Sequence, residues 1–149
     1  IDASHQRNVI PALCEVTVDC RLLPEQTPAD VEPLIRAAIG DGEYDLEWQE
    51  ATGGTRSPLD TPLWDALARF TEGIEDGARM APIACPGFTD SHYLRQAYGT
   101  IAYGYFPIRT MDTELATKLI HSANERAAVD DLELGVDMLR AAARELLSS

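Results

Sequence analysis

Three features of this 149-residue chain predict an α/β fold built from two domains. Apolar and polar residues alternate over residues 12–22, as in a strand that has one face buried and the other in water. Apolar residues recur at helical spacing over residues 28–39. Short apolar runs at 79–84 and 100–104, with a helical stretch at 91–96 between them, are typical of buried strands in an α/β sheet.

The first predicted domain is half of a ferredoxin-like sandwich. Strand 12–22 is followed by a helix that Thr27 caps and Pro28 opens, and Gly40 stops it. Residues 44–48 alternate again and predict a second half-buried strand. A strand, a helix and a strand make half of a split β-α-β unit, and so small a sheet is not stable alone. We expect this domain to pair with a missing first half or with a second copy.

A glycine-rich stretch that ends in proline, residues 53–58, is the predicted linker, so the predicted domains are residues 1–52 and 53–149. In the second domain, Asp60 or Thr61 is expected to cap a helix that opens at Pro62.

The chain is predicted to end in a long helix that packs on the sheet. Asp130 is the expected cap, with Glu133 completing a capping box. Residues 105–129 show no clear period, which predicts a functional or disordered loop around His121. The residues expected to face the sheet are Leu132, Val136, Leu139, Ala143 and Leu146.

Composition narrows the possible partners. Twenty-five Asp and Glu against twelve Lys and Arg give a net charge of −13, which repels phosphate backbones, so we expect no nucleic-acid partner. No apolar run approaches the roughly 20 residues of a membrane-spanning helix, and no signal sequence is recognisable, so a cytoplasmic location is expected. The three cysteines lack CxxC spacing, which argues against a disulfide framework or a cysteine zinc site.

His121, followed by Glu125, is the first candidate site. A neutral imidazole on a loop is a common metal ligand, and a nearby carboxylate can orient it, so the pair could be a fragment of a zinc site. Zinc needs about three or four protein ligands, and neither His5 nor His92 lies at ligand spacing from His121. A capping or surface histidine is the alternative.

Thr89 and Asp90, after the turn that contains Gly87, are the second candidate site. Backbone N–H groups of this turn could bind a substrate carboxylate. Alternatively, Thr89 or Asp90 is a plain N-cap of the following helix, and the two roles are compatible.

Arg21 and Asn8 are the third candidate site. Arg21 could bind a carboxylate through two parallel hydrogen bonds. The alternative is a solvated arginine paired with Asp19 or Glu15 on the same face of the strand. Asn8 precedes an extended segment that ends in proline.

Three motifs in order resemble the C-terminal portion of the M20 metallopeptidase family, which includes aminoacylase, acetylornithine deacetylase, succinyl-diaminopimelate desuccinylase and carboxypeptidase G. The resemblance covers nearly the whole chain. The motifs are Asn8-Val9-Ile10-Pro11 with the strand ending Asp19-Cys20-Arg21-Leu22-Leu23-Pro24, then Pro86-Gly87-Phe88-Thr89-Asp90-Ser91, then His121-Ser122-Ala123-Asn124-Glu125-Arg126 before the closing helix.

The resemblance implies a dizinc amidohydrolase, with Co²⁺ as a possible substitute for Zn²⁺, that acts on an N-acyl amino acid or a small peptide. Residues 1–52 resemble the second half of a ferredoxin-like lid through which such enzymes form homodimers. Residues 53–149 resemble the C-terminal part of the zinc-peptidase-like catalytic domain. His121 matches the last metal ligand, and Glu125 matches an acidic residue that supports it. The residues that match substrate-binding positions are Asn8, Arg21, Gly87, Thr89 and Asp90.

The family's other metal ligands and its general base match nothing in this chain. We therefore expect no catalytic residue here, and we expect the chain, which begins at Ile1, to be an inactive piece that needs the N-terminal part of the same protein. The alternatives are a non-catalytic oligomerisation or binding module derived from the family and a small ligand-binding α/β domain with only chance similarity.

Overall fold

The computed structural model describes residues 3, 8–50, 52–85 and 87–148. The chain divides into two compact units, residues 1–54 and residues 55–149, called here the first and second units. Among the described residues, five α-helices form and the backbone makes isolated bridges, at Glu15 and between Pro24 and Gly54, in place of a sheet. None of the described helices is both long and apolar enough to cross a membrane.

The predicted strands are absent from the described residues. Segments 12–22, 44–48, 79–84 and 100–104 have no strand assignment, so these predictions were wrong. A helix satisfies its N–H and C=O groups within its own segment, whereas a strand needs a neighbouring strand to bond with. The alternating pattern is present in the sequence, but the described chain supplies no ladder partner.

Helix α1, Pro28–Ile39, lies in the first unit and confirms the predicted helix. The backbone N–H and the hydroxyl of Thr27 both donate to the carboxylate of Asp30, at 2.8 and 2.6 Å. Gly40 ends the helix with φ of +80°, a conformation that favours glycine, and its N–H donates to the carbonyl of Arg36. The start and stop signals are local, which is why the sequence predicted them.

The stretch predicted to be a linker is held by hydrogen bonds in both units. The N–H of Gly54 donates to the carbonyl of Gln26 at 2.9 Å, and the carbonyl of Gly54 accepts from the N–H of Glu25 at 3.0 Å. A Cβ atom at Gly54 would collide with the carbonyl oxygen of Leu23. On the other side of the stretch, Ser57 is buried and accepts from Arg95 at 3.0 Å.

Four helices form the second unit: α2 (Pro62–Ile74), α3 (Ser91–Tyr98), α4 (Thr113–Leu119) and α5 (Val129–Leu147). The start of α2 after its cap Thr61 and the presence of α3 confirm two predictions. Helix α4 lies within residues 105–129, so the prediction of a structureless loop was wrong there.

The core of the second unit lies between α2 and α5, the pair of described helices that pack together. Its buried apolar residues are Ala66, Leu67, Met138 and Ala142. Tyr103 and Tyr105 pack against this core, and their hydroxyls lie 2.6 Å from those of Thr61 and Thr71 respectively. These contacts fix the extended segment after α3 alongside α2.

The packed face of α5 differs from the predicted one. The predicted residues Leu132, Val136, Leu139, Ala143 and Leu146 are all exposed. The buried residues of α5 are Asp131, Gly135, Met138 and Ala142. Helix α5 is apolar on two faces, and the face with smaller side chains packs on α2; a Cβ atom at Gly135 would collide with the ring of Phe106.

The predicted cap of α5 was also wrong. The helix begins at Val129, its N-cap is Ala128, and no side chain caps it. Asp130 therefore lies within the first turn of α5. Its neighbour Asp131 is buried and accepts hydrogen bonds from residues 109–111.

Candidate functional site

His121 lies on a tight turn at the C-terminal end of α4. Its backbone has φ of +59°, and that of Asn124 has φ of +64°, so both residues adopt the left-handed conformation. This conformation is uncommon for residues other than glycine, although histidine and asparagine adopt it more often than most. His121 is exposed. The turn thus presents an imidazole ring to solvent on a constrained backbone.

Glu125 supports the backbone of this turn. Its carboxylate accepts a hydrogen bond from the backbone N–H of His121 at 3.3 Å. The resemblance implied that Glu125 supports the metal ligand, and the contact observed here reaches the main chain of His121. Such a bond restrains the position from which the ring projects.

Local hydrogen bonds complete the turn. The N–H and the hydroxyl of Ser122 both donate to the carbonyl of Leu119, at 3.0 and 2.8 Å. Arg126 donates through Nη1 to the carbonyl of Asn124 at 3.2 Å. The turn is therefore bonded at both of its ends.

Asp131 anchors the segment that leads into α4. Its carboxylate accepts from three successive backbone N–H groups: Oδ1 from Arg109 at 2.9 Å and Thr110 at 2.8 Å, and Oδ2 from Met111 at 2.9 Å. Its side chain is buried, with a relative exposure of 2%. The N–H groups of Thr110, Arg109 and Met111 favour the charged form and lower the pKa of Asp131.

Asp131 was not among the predicted site residues. The neighbouring Asp130 was the predicted helix cap, and the adjacent stripe of α5, one residue later at each position, was predicted to face the core. The available signal was the spacing of Asp131 with Gly135, Met138 and Ala142, which places an aspartate on a face of small and apolar residues. A charged residue at such a position is buried only with good partners.

An open pocket of about 230 Å³ is lined by residues of α4, by residues on both sides of the His121 turn and by Asp131 of α5. Glu125 and Asp131 both contribute to its wall. Its apolar lining includes Phe106, Ile108, Met111 and Ile120.

The turn around Thr89 and Asp90 is exposed and leads into α3. The hydroxyl of Thr89 accepts from the N–H of Ser91 at 3.2 Å, whereas the side chain of Asp90 makes no capping bond to α3. Gly87 donates its N–H to the sulfur of Cys85 at 3.4 Å. Thr89 thus makes a local bond at the start of α3, while the Asp90 carboxylate remains exposed; Pro86 lies outside the described residues.

An aromatic cluster supports this turn from α3. The ring of Phe88 lies 5.3 Å from that of His92 and 5.6 Å from that of Tyr93, measured between centroids. His92 is buried, whereas Phe88 and Tyr93 are about half exposed. His92 is therefore a packing residue here, and the other histidine considered, His5, lies outside the described residues.

Arg95 ties α3 to the extended segments beside it. It donates to the hydroxyls of Ser57 at 3.0 Å and Thr55 at 3.2 Å, and to the carbonyl of Ala102 at 2.6 Å. Arg95 was not among the predicted site residues. Through these bonds it holds the helix that follows the Thr89 turn.

Asn8 and Arg21 lie in the first unit, and both are exposed. Arg21 pairs with Asp19, with 2.6 Å between Nη2 and Oδ2. This is the solvated pair that the sequence analysis weighed against substrate binding.

The described residues do not contain a complete metal site. No group of three or more His, Cys, Asp or Glu side chains in this part of the chain could hold a metal ion. The exposed imidazole of His121 is a suitable single ligand, so the chemistry of this turn fits a metal whose other ligands come from elsewhere.

Comparison with known proteins identifies the class. Residues 1–47 match the M20 family domain described as "Peptidase dimerisation domain". The resemblance to the M20 family that the three motifs predicted is thus confirmed, with the domain match lying in residues 1–47.

Two similar proteins carry the name "N-fatty-acyl-amino acid synthase/hydrolase PM20D1". The protein from Xenopus tropicalis is 30% identical over 134 residues, which is 89% of this chain and 26% of the relative. The protein from Mus musculus is 24% identical over 141 residues, with the same two shares. The chain therefore spans about a quarter of the length of the curated relatives it matches. No solved structure matches it.

Proposed function

We propose that this chain is part of a zinc-dependent amidohydrolase that cleaves the amide bond of an N-acyl amino acid or a small peptide. The similarity to PM20D1 across 89% of the chain carries this proposal, because that relative's name describes hydrolysis of N-fatty-acyl amino acids. By resemblance, the motifs around Asn8, Thr89 and His121 match the part of the family that follows the first half of the lid.

In the proposed site, His121 is one zinc ligand and Glu125 restrains its backbone. Bound zinc would supply a hydroxide nucleophile and polarise the amide carbonyl. The hydrogen bond between Glu125 and the His121 N–H restrains the backbone that carries the ring before metal binds, which reduces the entropy lost on ligation. The remaining ligands and the general base come from the N-terminal part of the protein, so this chain is inactive by itself.

Arg21 and Asn8 are proposed to bind the substrate carboxylate or the developing oxyanion. The pair between Arg21 and Asp19 is exposed, and exposed pairs contribute only about 0–1 kcal/mol. Arg21 can therefore exchange Asp19 for a substrate carboxylate at little cost. Gly87, Thr89 and Asp90 line the pocket in this proposal, and the exposure of their turn leaves them accessible.

We assign residues 1–52 to the second half of the dimerisation lid and residues 53–149 to the catalytic domain. The alternating segment 12–22 exposes apolar side chains, with Val18 73% exposed, and such a segment can pair along its backbone with another strand. This exposure favours a homodimer formed through the lid.

The second candidate function is a non-catalytic oligomerisation module derived from the same family. One observation favours it: the described residues form no group of three or more potential ligands. A module of this kind would dimerise without binding zinc.

Substitution of His121 in the complete hydrolase tests the proposal. We expect His121→Asn to lower the zinc content from about two ions per active site to about one and to reduce the rate at least about 100-fold. Asparagine tolerates the left-handed backbone of this turn, so this variant removes the imidazole while keeping the turn. Zinc content by mass spectrometry and hydrolysis of an N-acyl amino acid are the measurements.

Ser122→Ala is the matched control, because Ser122 lies on the same turn and its N–H bond to Leu119 remains. Unchanged zinc content and unchanged activity in His121→Asn would contradict the assignment. A wild-type protein that forms dimers and never binds zinc would favour the oligomerisation module.

A further inference from the structure

We infer that Asp131 is the positioning residue of the His121 turn. It joins the two ends of the segment that carries α4 and the turn, because residues 109–111 precede this segment and Asp131 follows it. The inference rests on the proposed function only where it assigns a metal to His121.

Asp131 makes three hydrogen bonds to the backbone from a buried position. The two carboxylate oxygens accept from three N–H groups at 2.8 to 2.9 Å, and the side chain is 2% exposed. Hydrogen bonds to a charged acceptor are about twice as strong as those between neutral groups. A single side chain therefore holds both ends of the segment together.

Helix α4 packs on none of the other described helices. The described helices that pack on one another are α2 and α5. Helix α4 is short, and helices of this length are marginal without outside support. Ala116, Thr117 and Ile120 of this segment line the pocket of about 230 Å³, so that side of the segment is not closely packed.

Two side chains, at opposite ends of the segment, restrain the backbone that carries the imidazole. Asp131 accepts from residues 109–111 at the base of the segment, and Glu125 accepts from the His121 N–H at its tip. Asp131 therefore acts on a ligand at His121 only indirectly, through the backbone.

The substitution Asp131→Asn is the sharpest probe. Asparagine has nearly the same shape, but its single carbonyl oxygen can serve only part of this set, and its NH₂ group would meet an N–H donor. At least one backbone donor then loses its partner. The control is Asp130→Asn, which removes the same charge from the adjacent, exposed residue.

Hydrogen exchange of the chain provides the first measurement. We expect Asp131→Asn to raise amide exchange at residues 112–126 at least about tenfold while α2 retains its protection. The NMR signals of the His121 ring should shift in this variant and stay in place in Asp130→Asn. Unchanged exchange at 112–126, or an equal loss of protection in α2, would overturn the inference.

Zinc affinity of the complete hydrolase provides the second measurement. We expect Asp131→Asn to weaken binding of one zinc about 10- to 100-fold, in the range seen when the support of a metal ligand is removed. If His121→Asn loses that zinc and Asp131→Asn binds it normally, the positioning inference alone fails. If His121→Asn keeps both zinc ions, the metal assignment fails. The hydrogen-exchange data on Asp131→Asn then test separately whether Asp131 positions the His121 turn.

Discussion

The two units of this chain reach very different degrees of burial. Within the described residues up to Gly54, no side chain is fully buried, whereas the second unit buries residues from Ser57 to Ala142. Both units contain well-formed helices. The difference teaches that local signals suffice for a helix, whereas a core requires a partner surface. In the second unit α2 and α5 supply that surface for each other.

The same contrast recurs on the two faces of α5. One face places Met138 in the core beside α2 with 4% exposure, and the adjacent face, rotated by about 100°, leaves Leu139 64% exposed. The exposed stripe is apolar too. The two faces therefore differ in whether another element packs against them, and not in hydropathy.

The largest expected effect comes from the buried face of α5. We expect Met138→Ala to destabilise the second unit by about 2–5 kcal/mol, because it removes core contacts and leaves a cavity. Leu139→Ala is the matched control and should cost within about 0.5 kcal/mol. Each unit contains one tryptophan, Trp48 or Trp64, so in a Trp48→Phe background urea unfolding followed by fluorescence reports the second unit. Equal costs for the two substitutions would remove the distinction between the faces.

A smaller effect is expected at the two helix caps. The hydroxyl of Thr61 accepts from the N–H of Trp64 at 3.1 Å and lies 2.6 Å from the Tyr103 hydroxyl. We expect Thr61→Ala to cost about 1–2 kcal/mol, since the cap is lost and a tyrosine hydroxyl loses a partner. Thr27→Ala, at the exposed start of α1, should cost no more than about 1 kcal/mol.

Urea midpoints measured separately in the two units would test this ranking. Tryptophan fluorescence in Trp48→Phe follows the Thr61 variant, and fluorescence in Trp64→Phe follows the Thr27 variant. A larger loss at Thr27 than at Thr61 would mean that burial does not strengthen the cap.

The smallest expected effect concerns acid. The folded-state pKa of Asp131 is lowered, chiefly by the N–H groups of Thr110 and Arg109, from an ordinary value of 3.8. The charged carboxylate therefore stabilises the second unit at pH values above the ordinary pKa. This stabilisation is lost as the pH falls through the lower folded-state pKa. We expect Asp131→Asn to flatten the decline in stability between about pH 5 and pH 2.

Urea unfolding of the second unit across this pH range is the measurement, with Asp130→Asn as the comparison. An acid slope that is the same in Asp131→Asn and in the unsubstituted chain would contradict the stated role of the carboxylate.

Much of the helical structure was predictable because its signals are local. Thr27 with Pro28 and Thr61 with Pro62 mark helix starts, and Gly40 marks a helix end. The short α4 was not predictable in this way, because its seven residues show too little periodicity to distinguish it from a loop. The strands failed for the opposite reason: their pattern was clear, but pairing depends on residues far away in sequence or in another chain.

The candidate site divides along the same line. The three motifs, including the one around His121, were visible in the sequence and led to the M20 family. The match of residues 1–47 confirmed that resemblance, and the role of His121 stays a prediction. Two features could not be predicted from the sequence. Glu125 bonds to the backbone of His121 rather than to its ring, and Asp131 bonds to the N–H groups of residues 109–111. Each depends on where the backbone turns in space.

The sequence by itself determined the starts of α1 and α2, the acidic charge and the family, because each resides in residue types at short spacing. Only the tertiary structure decided which face of α5 is buried and which aspartate becomes an anchor. Helix α5 offers apolar residues on two faces, and Asp130 and Asp131 are chemically identical neighbours. Met138 and Asp131 are the residues that become buried, because α2 and the N–H groups of residues 109–111 lie on their side of the helix.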